Sequence, residues 1–289
     1  MKIDKIINKT QHDLDNFVLI NKEKYLNAEP FPFIIIENFF NNNFLDEILR
    51  QFPNLSDIKK TTKYQNKNEV KFGNNEYEKF PEKIKILFDF LNSNFFLNFL
   101  QNLTGIKEKL IADKELNGGG MHEIKKGGLL KIHSDFNKHP NLKLDRRLNV
   151  LIYLNKNWKE EYGGHLEFWD KEMKYCKTKI LPIFNRMVVF STTDFSNHGH
   201  PDPLNCPDLV SRKSIATYYY SDGRPPNEID KMYSKNTTYF KDREGQSNET
   251  KQNYGKLRRY LRSLKVYQSI KNLEKKFFRT GRSKRNRDN

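Results

Sequence analysis

A series of short apolar runs fills the chain from about residue 110 to residue 222, and it constrains the fold more than any other feature. Each run has the length and composition of a β-strand, and Gly, Asn, Asp or Pro separates it from the next. Short strands at this spacing are typical of an antiparallel sandwich or barrel. The runs lie within residues 116–136, 146–158, 162–170, 185–195 and 211–222. The sequence therefore predicts a β-sandwich or barrel core.

Helical patterns precede these runs. Residues 41–52 combine an Asn N-cap with apolar residues at helical spacing, and residues 81–106 predict one helix or two, with Pro81 at the N-terminus. Residues 29–40 predict an entry turn and a short buried strand, whereas residues 55–75 are polar and predict a loop or weak strands. Helices packed beside a β core place the chain in the α+β class.

The net charge of +16 is concentrated at the C-terminus. Residues 251–289 contain 14 Lys and Arg against Glu274 and Asp288, so they carry +12 of it. Apolar residues from Tyr254 to Phe278 follow helical spacing and predict an amphipathic helix. We expect this helix to dock its apolar stripe on the core. Contact of its basic face with a membrane surface or with nucleic acid is the alternative.

The sequence divides into three regions: an N-terminal extension (1–28), a domain (29–226), and a basic C-terminal linker, helix and tail (227–289). The two cysteines form no C-x-x-C pair, which predicts reduced, structural thiols. The first residues show no apolar signal region, and no run reaches the roughly 18 apolar residues of a membrane span. We expect a cytoplasmic protein.

The run LLKIH ends in His133, and Asp135 follows one residue later. Side chains two apart on a strand point to the same face, so the imidazole and the carboxylate can converge on one point. Two histidines and one carboxylate form the ligand set of non-heme Fe(II) oxygenases. A lone histidine–aspartate pair is a weak signal, so this hypothesis needs a second histidine at the end of another strand.

The segment VVFSTTDFSNHGH supplies two such histidines, His198 and His200. They are two residues apart, so spacing alone does not choose between them. We favour His198 as the ligand. His200 lies between Gly199 and Pro201, a turn position that suits a supporting or surface role.

Arg212 and Ser214 share one face of a later strand. A guanidinium binds a carboxylate through two parallel hydrogen bonds, and a neighbouring hydroxyl adds a donor. On the strand within residues 146–154, Asn149 and Tyr153 lie opposite an apolar row, which indicates a wet cavity. Tyr153 can give its hydroxyl to the same carboxylate. These residues predict an anchor for an anionic co-substrate.

The combination of His133-x-Asp135, His198 and Arg212-x-Ser214 resembles the Fe(II)- and 2-oxoglutarate-dependent dioxygenases. The segment RRLNVLIYLNKNWKEEYGGHLEFWD is similar to the strand, Asn turn, Trp, Gly-Gly turn and strand of their prolyl 4-hydroxylase branch. The segment NRMVVFSTTDFSNHG resembles the strand that leads to the distal histidine of that branch. The likeness covers about residues 30–226.

The resemblance implies a double-stranded β-helix (jelly roll) core with N-terminal packing helices, to which the predicted C-terminal amphipathic helix is added. It also implies that the metal centre is the only catalytic group and that a separate set of side chains binds 2-oxoglutarate. The implied Fe(II) ligands are His133, Asp135 and His198, and the implied 2-oxoglutarate ligands are Arg212, Tyr153 and Ser214.

Members of this branch often carry a polar residue or Tyr on the strand before the histidine–aspartate pair. This sequence offers His122 and Glu123 there, and the resemblance does not choose between them. We expect both, together with Asn149 and His200, to line the pocket.

The implied reaction hydroxylates an unactivated C–H bond and converts 2-oxoglutarate to succinate and CO2, with Fe(II), 2-oxoglutarate and O2 as cofactors and ascorbate as a further ligand. A prolyl or other peptidyl side chain is the expected substrate, and a small molecule (sugar, lipid or free amino acid) is the alternative. A nucleic-acid demethylase is less favoured, because those enzymes carry a second Arg where this chain has Tyr218. A non-catalytic jelly-roll binding module ranks last, since all the required ligands are present.

Overall fold

The apolar runs form a single antiparallel sheet. The computed structural model describes residues 3–229 and 237–243, and within this part it places 13 strands in one sheet. In chain order the strands are β1 (Phe33–Glu37), β2 (Thr62–Asn66), β3 (Glu69–Asn74), β4 (Ile111–Ala112), β5 (Gly120–Ile124), β6 (Leu129–Ser134), β7 (Asp145–Tyr153), β8 (Leu166–Trp169), β9 (Cys176–Ile180), β10 (Arg186–Ser191), β11 (Asn197–His200), β12 (Arg212–Ser221) and β13 (Tyr239–Phe240). Their order in the sheet is β1-β10-β7-β12-β5-β3-β6-β11-β8-β9, with β2 beside β3, β4 beside β12 and β13 beside β6.

The sheet curls into two halves that face each other. One half contains β1, β10, β7, β12 and β5, the other contains β6, β11, β8 and β9, and β3 pairs with both β5 and β6. One cavity is lined by residues of both halves, among them Arg212 on β12 and His198 on β11. This curled sheet, with helices N-terminal to most of its strands, confirms the predicted α+β jelly-roll core.

Four helices belong to the same compact unit: α1 (Gln11–Leu26), α2 (Asn42–Gln51), α3 (Glu82–Leu91) and α4 (Asn94–Thr104). Asn41 caps α2 as predicted, because its side chain accepts a hydrogen bond from the backbone of Asn43 (2.9 Å). The pattern over residues 81–106 becomes two helices, since Ser93 caps a new helix by accepting from the backbone of Phe96. Gly105, with φ of +68°, ends α4 in the left-handed conformation.

Helix α1 lies within the predicted N-terminal extension. Thr10 and Asp13 close a capping box at its start. Tyr25, near its end, is buried and pairs its hydroxyl with that of Ser191 on β10 (2.7 Å), and Phe17 packs against Phe99 of α4. The helix is therefore part of the hydrophobic core.

The central strand β7 separates the core from the cavity. Its residues Leu148, Val150 and Ile152 are completely buried in the cluster that the helices complete. Burying one such side chain contributes about 1.5–3 kcal/mol. Asn149 and Leu151 point the other way and line the cavity, as the alternation predicted.

Three further predictions concern the cysteines, membrane-spanning helices and the C-terminal region. Both cysteines are free thiols, Cys206 buried and Cys176 partly exposed. Among the described residues, no helix has the length and apolarity that a bilayer span requires. The predicted amphipathic helix over residues 254–278, with its expected contacts, lies outside the described residues. From the predicted linker, residues 237–243 are described and contribute β13.

Candidate metal centre and its cavity

Three side chains of the predicted metal site meet at one point. His133 near the end of β6 pairs in register with His198 on the neighbouring β11, and Asp135 follows β6 directly. The Nε2 atoms of the two histidines lie 3.4 and 3.5 Å from the two carboxylate oxygens of Asp135. One ligand atom from each residue lies within 4.8 Å of the others, a separation that suits a single bound ion.

The two imidazoles are held so that Nε2 faces the centre. Nδ1 of His133 lies 2.8 Å from the carbonyl oxygen of Lys131, and Nδ1 of His198 lies 2.9 Å from that of Ser196. A carbonyl oxygen only accepts, so each Nδ1 donates and each Nε2 keeps its lone pair. Metal-binding histidines are oriented in this way in many proteins. Burial also lowers the pKa of His198 to about 4, so this ligand stays neutral near pH 7.

Asp135 is kept ionised by its neighbours. Burial alone would raise its pKa, but Arg146, His198 and His133 hold the pKa well below the usual range. The Arg146 guanidinium donates to Asp135 Oδ2 (2.7 Å), and Asn149 donates to the same oxygen (3.3 Å). Two imidazoles and one carboxylate with open space beside them match the donor set of a non-heme Fe(II) site.

The second predicted constellation lies at the start of β12. Arg212 is 5% exposed, and its Nε donates to the carbonyl oxygen of Gly164 (2.9 Å) while Nη2 donates to the hydroxyl of Tyr153 (3.3 Å). Gly164 has φ of +71°, and a Cβ there would lie 2.5 Å from Leu204 and 3.1 Å from Arg212, so only glycine fits beside this guanidinium. Arg212 and Ser214 line the same cavity as the three metal-site residues. Tyr153 is buried behind Arg212 and is not among the lining residues.

Comparison with known proteins agrees with this geometry. Residues 119–220 match the sequence model of the 2OG-Fe(II) oxygenase superfamily, and this stretch contains both the metal-site residues and Arg212. This part of the chain is therefore similar to a 2OG-Fe(II) oxygenase domain. Members of this superfamily use Fe(II), 2-oxoglutarate and O2, which is the cofactor set that the motif predicted.

A mouse protein described as prolyl 3-hydroxylase OGFOD1 is 27% identical to the chain over 105 residues. The match covers 34% of this chain and 19% of the mouse protein, so the chain spans only a minor part of that relative.

Solved structures share the fold of this chain. A Trichoplax adhaerens prolyl hydroxylase, solved with a hypoxia-inducible-factor peptide fragment, superposes with a TM-score of 0.52 at 21% identity and covers 74% of this chain and 94% of its own. A Pseudomonas putida prolyl-4-hydroxylase superposes with a TM-score of 0.51 at 13% identity and covers 71% of this chain and 100% of its own. At these identities the likeness establishes the jelly-roll fold.

The choice between His198 and His200 depends on their places along β11. Among the described residues, the cluster of possible metal ligands contains His198 and does not contain His200. The interpretation of His200 as a turn residue is wrong, because it is the last residue of β11, is buried and lines the cavity. Burial and the cations of Arg212 and Lys71 hold its pKa well below the usual range, so the ring is neutral.

Of the residues predicted to line the pocket, His122 and Asn149 line the cavity of the metal-site residues, and Glu123 is not among its lining residues. His122 on β5 lines the cavity, and burial together with Lys71 and Arg212 lowers its pKa to about 3. Glu123 is the next residue, so it points to the other face of the strand. Its carboxylate accepts from the backbone of Leu55 (2.8 Å) and from the hydroxyl of Ser211 (2.7 Å), away from the metal centre.

Arg146 is the main site residue that sequence reasoning missed. Strict alternation along β7 places it on the helix-covered face with Leu148. A bulge intervenes, since Tyr219 pairs with Leu148 while Tyr220 pairs with Arg146, and it turns Arg146 towards the cavity. There the fully buried guanidinium stacks 3.4 Å from the centre of the Tyr218 ring. The two adjacent arginines at the start of this strand could have indicated it. Charged side chains on a buried strand are rare unless each has a partner.

The polar stretch over residues 55–75 also supplies cavity residues. It forms the β2–β3 hairpin, from which Tyr64, Glu69 and Lys71 line the cavity. Strand β13 adds Phe240, and Thr238 directly before this strand also lines the cavity. The centres of the Phe240 and His133 rings are 5.5 Å apart. Neither segment has a strong strand pattern, so periodicity alone does not predict that it lies at the site.

Proposed function

We propose that this chain is an Fe(II)- and 2-oxoglutarate-dependent hydroxylase that acts on a prolyl or other peptidyl side chain. The single observation that carries the proposal is the cluster of His133, Asp135 and His198 in one cavity with the buried Arg212. A metal site beside an anchor for an anion fits a co-substrate that is an anionic 2-oxo acid.

His133, Asp135 and His198 would hold Fe(II). When bound, the iron with 2-oxoglutarate and O2 supplies the oxidising power for hydroxylation, with decarboxylation to succinate and with ascorbate as a reductant that keeps the iron ferrous. The protein fixes the ligands through the carbonyl oxygens of Lys131 and Ser196 and through Arg146. These contacts keep the lone pairs aimed at the centre before the metal arrives.

Arg212 would bind the distal carboxylate of 2-oxoglutarate, with the Ser214 hydroxyl beside it. The guanidinium already donates to Gly164 and Tyr153, which fixes its plane. In this arrangement Tyr153 acts as a support for Arg212, and its place behind the guanidinium favours that role over a direct contact.

Apolar and aromatic side chains limit water at the centre. Leu151, Leu166, Phe136 and Phe240 line the cavity around the polar groups. Excluding water strengthens each charged contact and protects reactive species from side reactions. The Arg146 charge offsets that of Asp135, so the cavity accepts an anionic co-substrate without repulsion from this carboxylate.

Two relatives support a peptidyl substrate. The mouse relative is described as a prolyl 3-hydroxylase, and the Trichoplax adhaerens enzyme was solved with a peptide fragment. A small-molecule substrate is the second candidate, because the cavity that Thr238 and Phe240 help to line has a volume of only about 210 Å³.

Turnover of 2-oxoglutarate tests the proposal. The full chain with Fe(II), ascorbate and O2 should form succinate slowly alone and faster with its substrate. A peptide panel with proline at the centre, matched peptides with alanine there, and a panel of sugars, lipids and amino acids separate the two substrate classes. Stimulation by proline peptides only is the expected result. Stimulation by small molecules only would replace the peptide by the second candidate, and no turnover under any condition would contradict an oxygenase.

A further inference from the structure

His200 is a buried side chain that lacks hydrogen-bond partners. It is 3% exposed, and neither Nδ1 nor Nε2 has a partner among the described residues. An imidazole has one donor and one acceptor, and leaving such groups unpaired in the interior is unfavourable. Because the side chain lines the cavity, a bound molecule can supply the missing partner.

The strand register places His200 at the Arg212 end of the cavity. His198 and His200 are two residues apart on β11, so they face the same way and lie about 7 Å apart along the strand. On the neighbouring β8, His198 pairs with Phe168 and Gly199 with Glu167, so His200 lies beside the first residue of that strand. Arg212 donates to Gly164, two residues before β8 begins. His200 and Arg212 therefore converge at the end of the cavity away from Asp135.

The charges around His200 favour an anionic partner. Arg212 and Lys71 both act on it electrostatically, and Lys71 is offset by Glu69 at 3.3 Å whereas Arg212 has no carboxylate partner among the described residues. A carboxylate held by Arg212 would accept the N–H of His200 and supply its missing partner. An apolar ligand at this end would leave His200 without a hydrogen-bond partner and the Arg212 charge without a counterion.

We propose that His200 is a specificity-determining residue that donates a hydrogen bond to the distal carboxylate of the 2-oxo acid, alongside Arg212. The inference rests on the proposed function and extends it. It predicts discrimination between 2-oxo acids with a distal carboxylate and those without one. His200 thus contributes to binding of the 2-oxo acid, whereas His198, on the same strand face, contributes to binding of the metal.

Direct binding of two 2-oxo acids tests this role without turnover. The full chain loaded with Mn(II), a redox-inactive probe for the ferrous ion, is titrated with 2-oxoglutarate and with 2-oxobutanoate, which lacks the distal carboxylate. His200→Val should raise the Kd for 2-oxoglutarate about tenfold, the loss of one hydrogen bond to a charged group. The Kd for 2-oxobutanoate and for Mn(II) should stay unchanged. His200→Gln, which keeps a donor, should restore most of the 2-oxoglutarate affinity, and the exposed His12→Val serves as the matched control.

The outcomes distinguish a failure of the role of His200 from a failure of the proposed function. Equal 2-oxoglutarate affinity of His200→Val and the wild type would overturn the role of His200 alone. An equal loss for both oxo acids would also overturn it, because that pattern indicates damage to the site as a whole. A wild-type chain that binds Mn(II) but not 2-oxoglutarate would overturn the proposed function together with this inference.

Discussion

The cavity has two walls that differ in how their side chains are held. The ligand wall consists of His133, Asp135, Arg146 and His198, which are buried or nearly so, and each of them is fixed by a hydrogen bond or an ion pair. The access wall consists of Tyr64, Lys71, Thr238 and Phe240, which are all partly exposed. They lie on the β2–β3 hairpin, on the two-residue strand β13 or directly before that strand.

The difference indicates that the two walls have different roles. Central strands with partners on both sides position the groups that need fixed geometry. Partly exposed side chains that do not hold the ligands can vary without disturbing them, so they suit recognition of a substrate. Changes in the ligand wall should therefore affect metal binding and stability, and changes in the access wall should affect only the substrate.

The largest expected effect separates His198 from His200. His198→Ala should weaken Fe(II) binding more than a hundredfold, beyond the roughly 10–100-fold loss usual for a group that only supports a ligand. His200→Ala should retain the metal, because its ring lies outside the cluster. Metal content after dialysis against graded Fe(II) measures both, with the exposed His12→Ala as control. The reverse pattern would exchange the two residues.

The next effect concerns the buried ion pair of the ligand wall. Arg146→Met should lower the free energy of unfolding of the metal-free chain by about 3–5 kcal/mol, because it leaves the Asp135 carboxylate buried without its guanidinium. Asp135→Asn in the same chain should recover part of this loss. Urea unfolding of the single and double variants gives the coupling energy. Strictly additive losses would show that Arg146 acts by packing on Tyr218 alone.

A smaller effect is expected at the access wall. Lys71→Met or Phe240→Ala should change the KM for the stimulating substrate about fivefold, the size of a contact worth roughly 1 kcal/mol. Substrate-free succinate formation should stay the same. Lys63→Met, an exposed lysine on β2 of the same hairpin, is the matched control. A fall in substrate-free turnover with an unchanged KM would remove the distinction between the walls.

The last expected effect is a pH dependence of stability, which is small at any one pH near neutrality and builds up only over several pH units. His122 has its pKa lowered from 6.5 to about 3 by burial, Lys71 and Arg212, so it takes up a proton on unfolding between these pH values. The unfolded chain then binds more protons, and the free energy of unfolding falls as the pH drops through this window, by up to about 1.4 kcal/mol per pH unit. For the metal-free chain, His122→Gln should reduce the slope of the free energy of unfolding against pH by the amount that corresponds to one proton. An unchanged slope would mean that His122 is protonated in the folded chain.

The ligand wall could be predicted from the sequence to a large extent, and the access wall could not. His133 and Asp135 can be recognised in the sequence because they stand at the end of an apolar run. Arg212 can be recognised because it stands at the start of one. Strand periodicity then fixes which neighbours share a face, as it does for Asn149. These features depend only on residues close together along the chain, so they can be predicted from a single sequence.

The missed residues depend on contacts that are not local. Arg146 faces the cavity only because a bulge interrupts the alternation of β7 against β12. Glu123 turns away because the register of β5 is set by β12 and β3, a choice that the spacing to His133 does not fix. Phe240 reaches the metal centre through pairing with β6, more than a hundred residues earlier.

One measurement tests the central claim most directly: succinate formed from 2-oxoglutarate by the full chain with Fe(II) and O2, for the wild type and for His133→Ala and Asp135→Ala. We predict succinate in step with 2-oxoglutarate consumed for the wild type, and none above the protein-free background for either variant, with His12→Ala equal to the wild type. Undiminished succinate formation by either ligand variant would contradict the assignment of the metal centre.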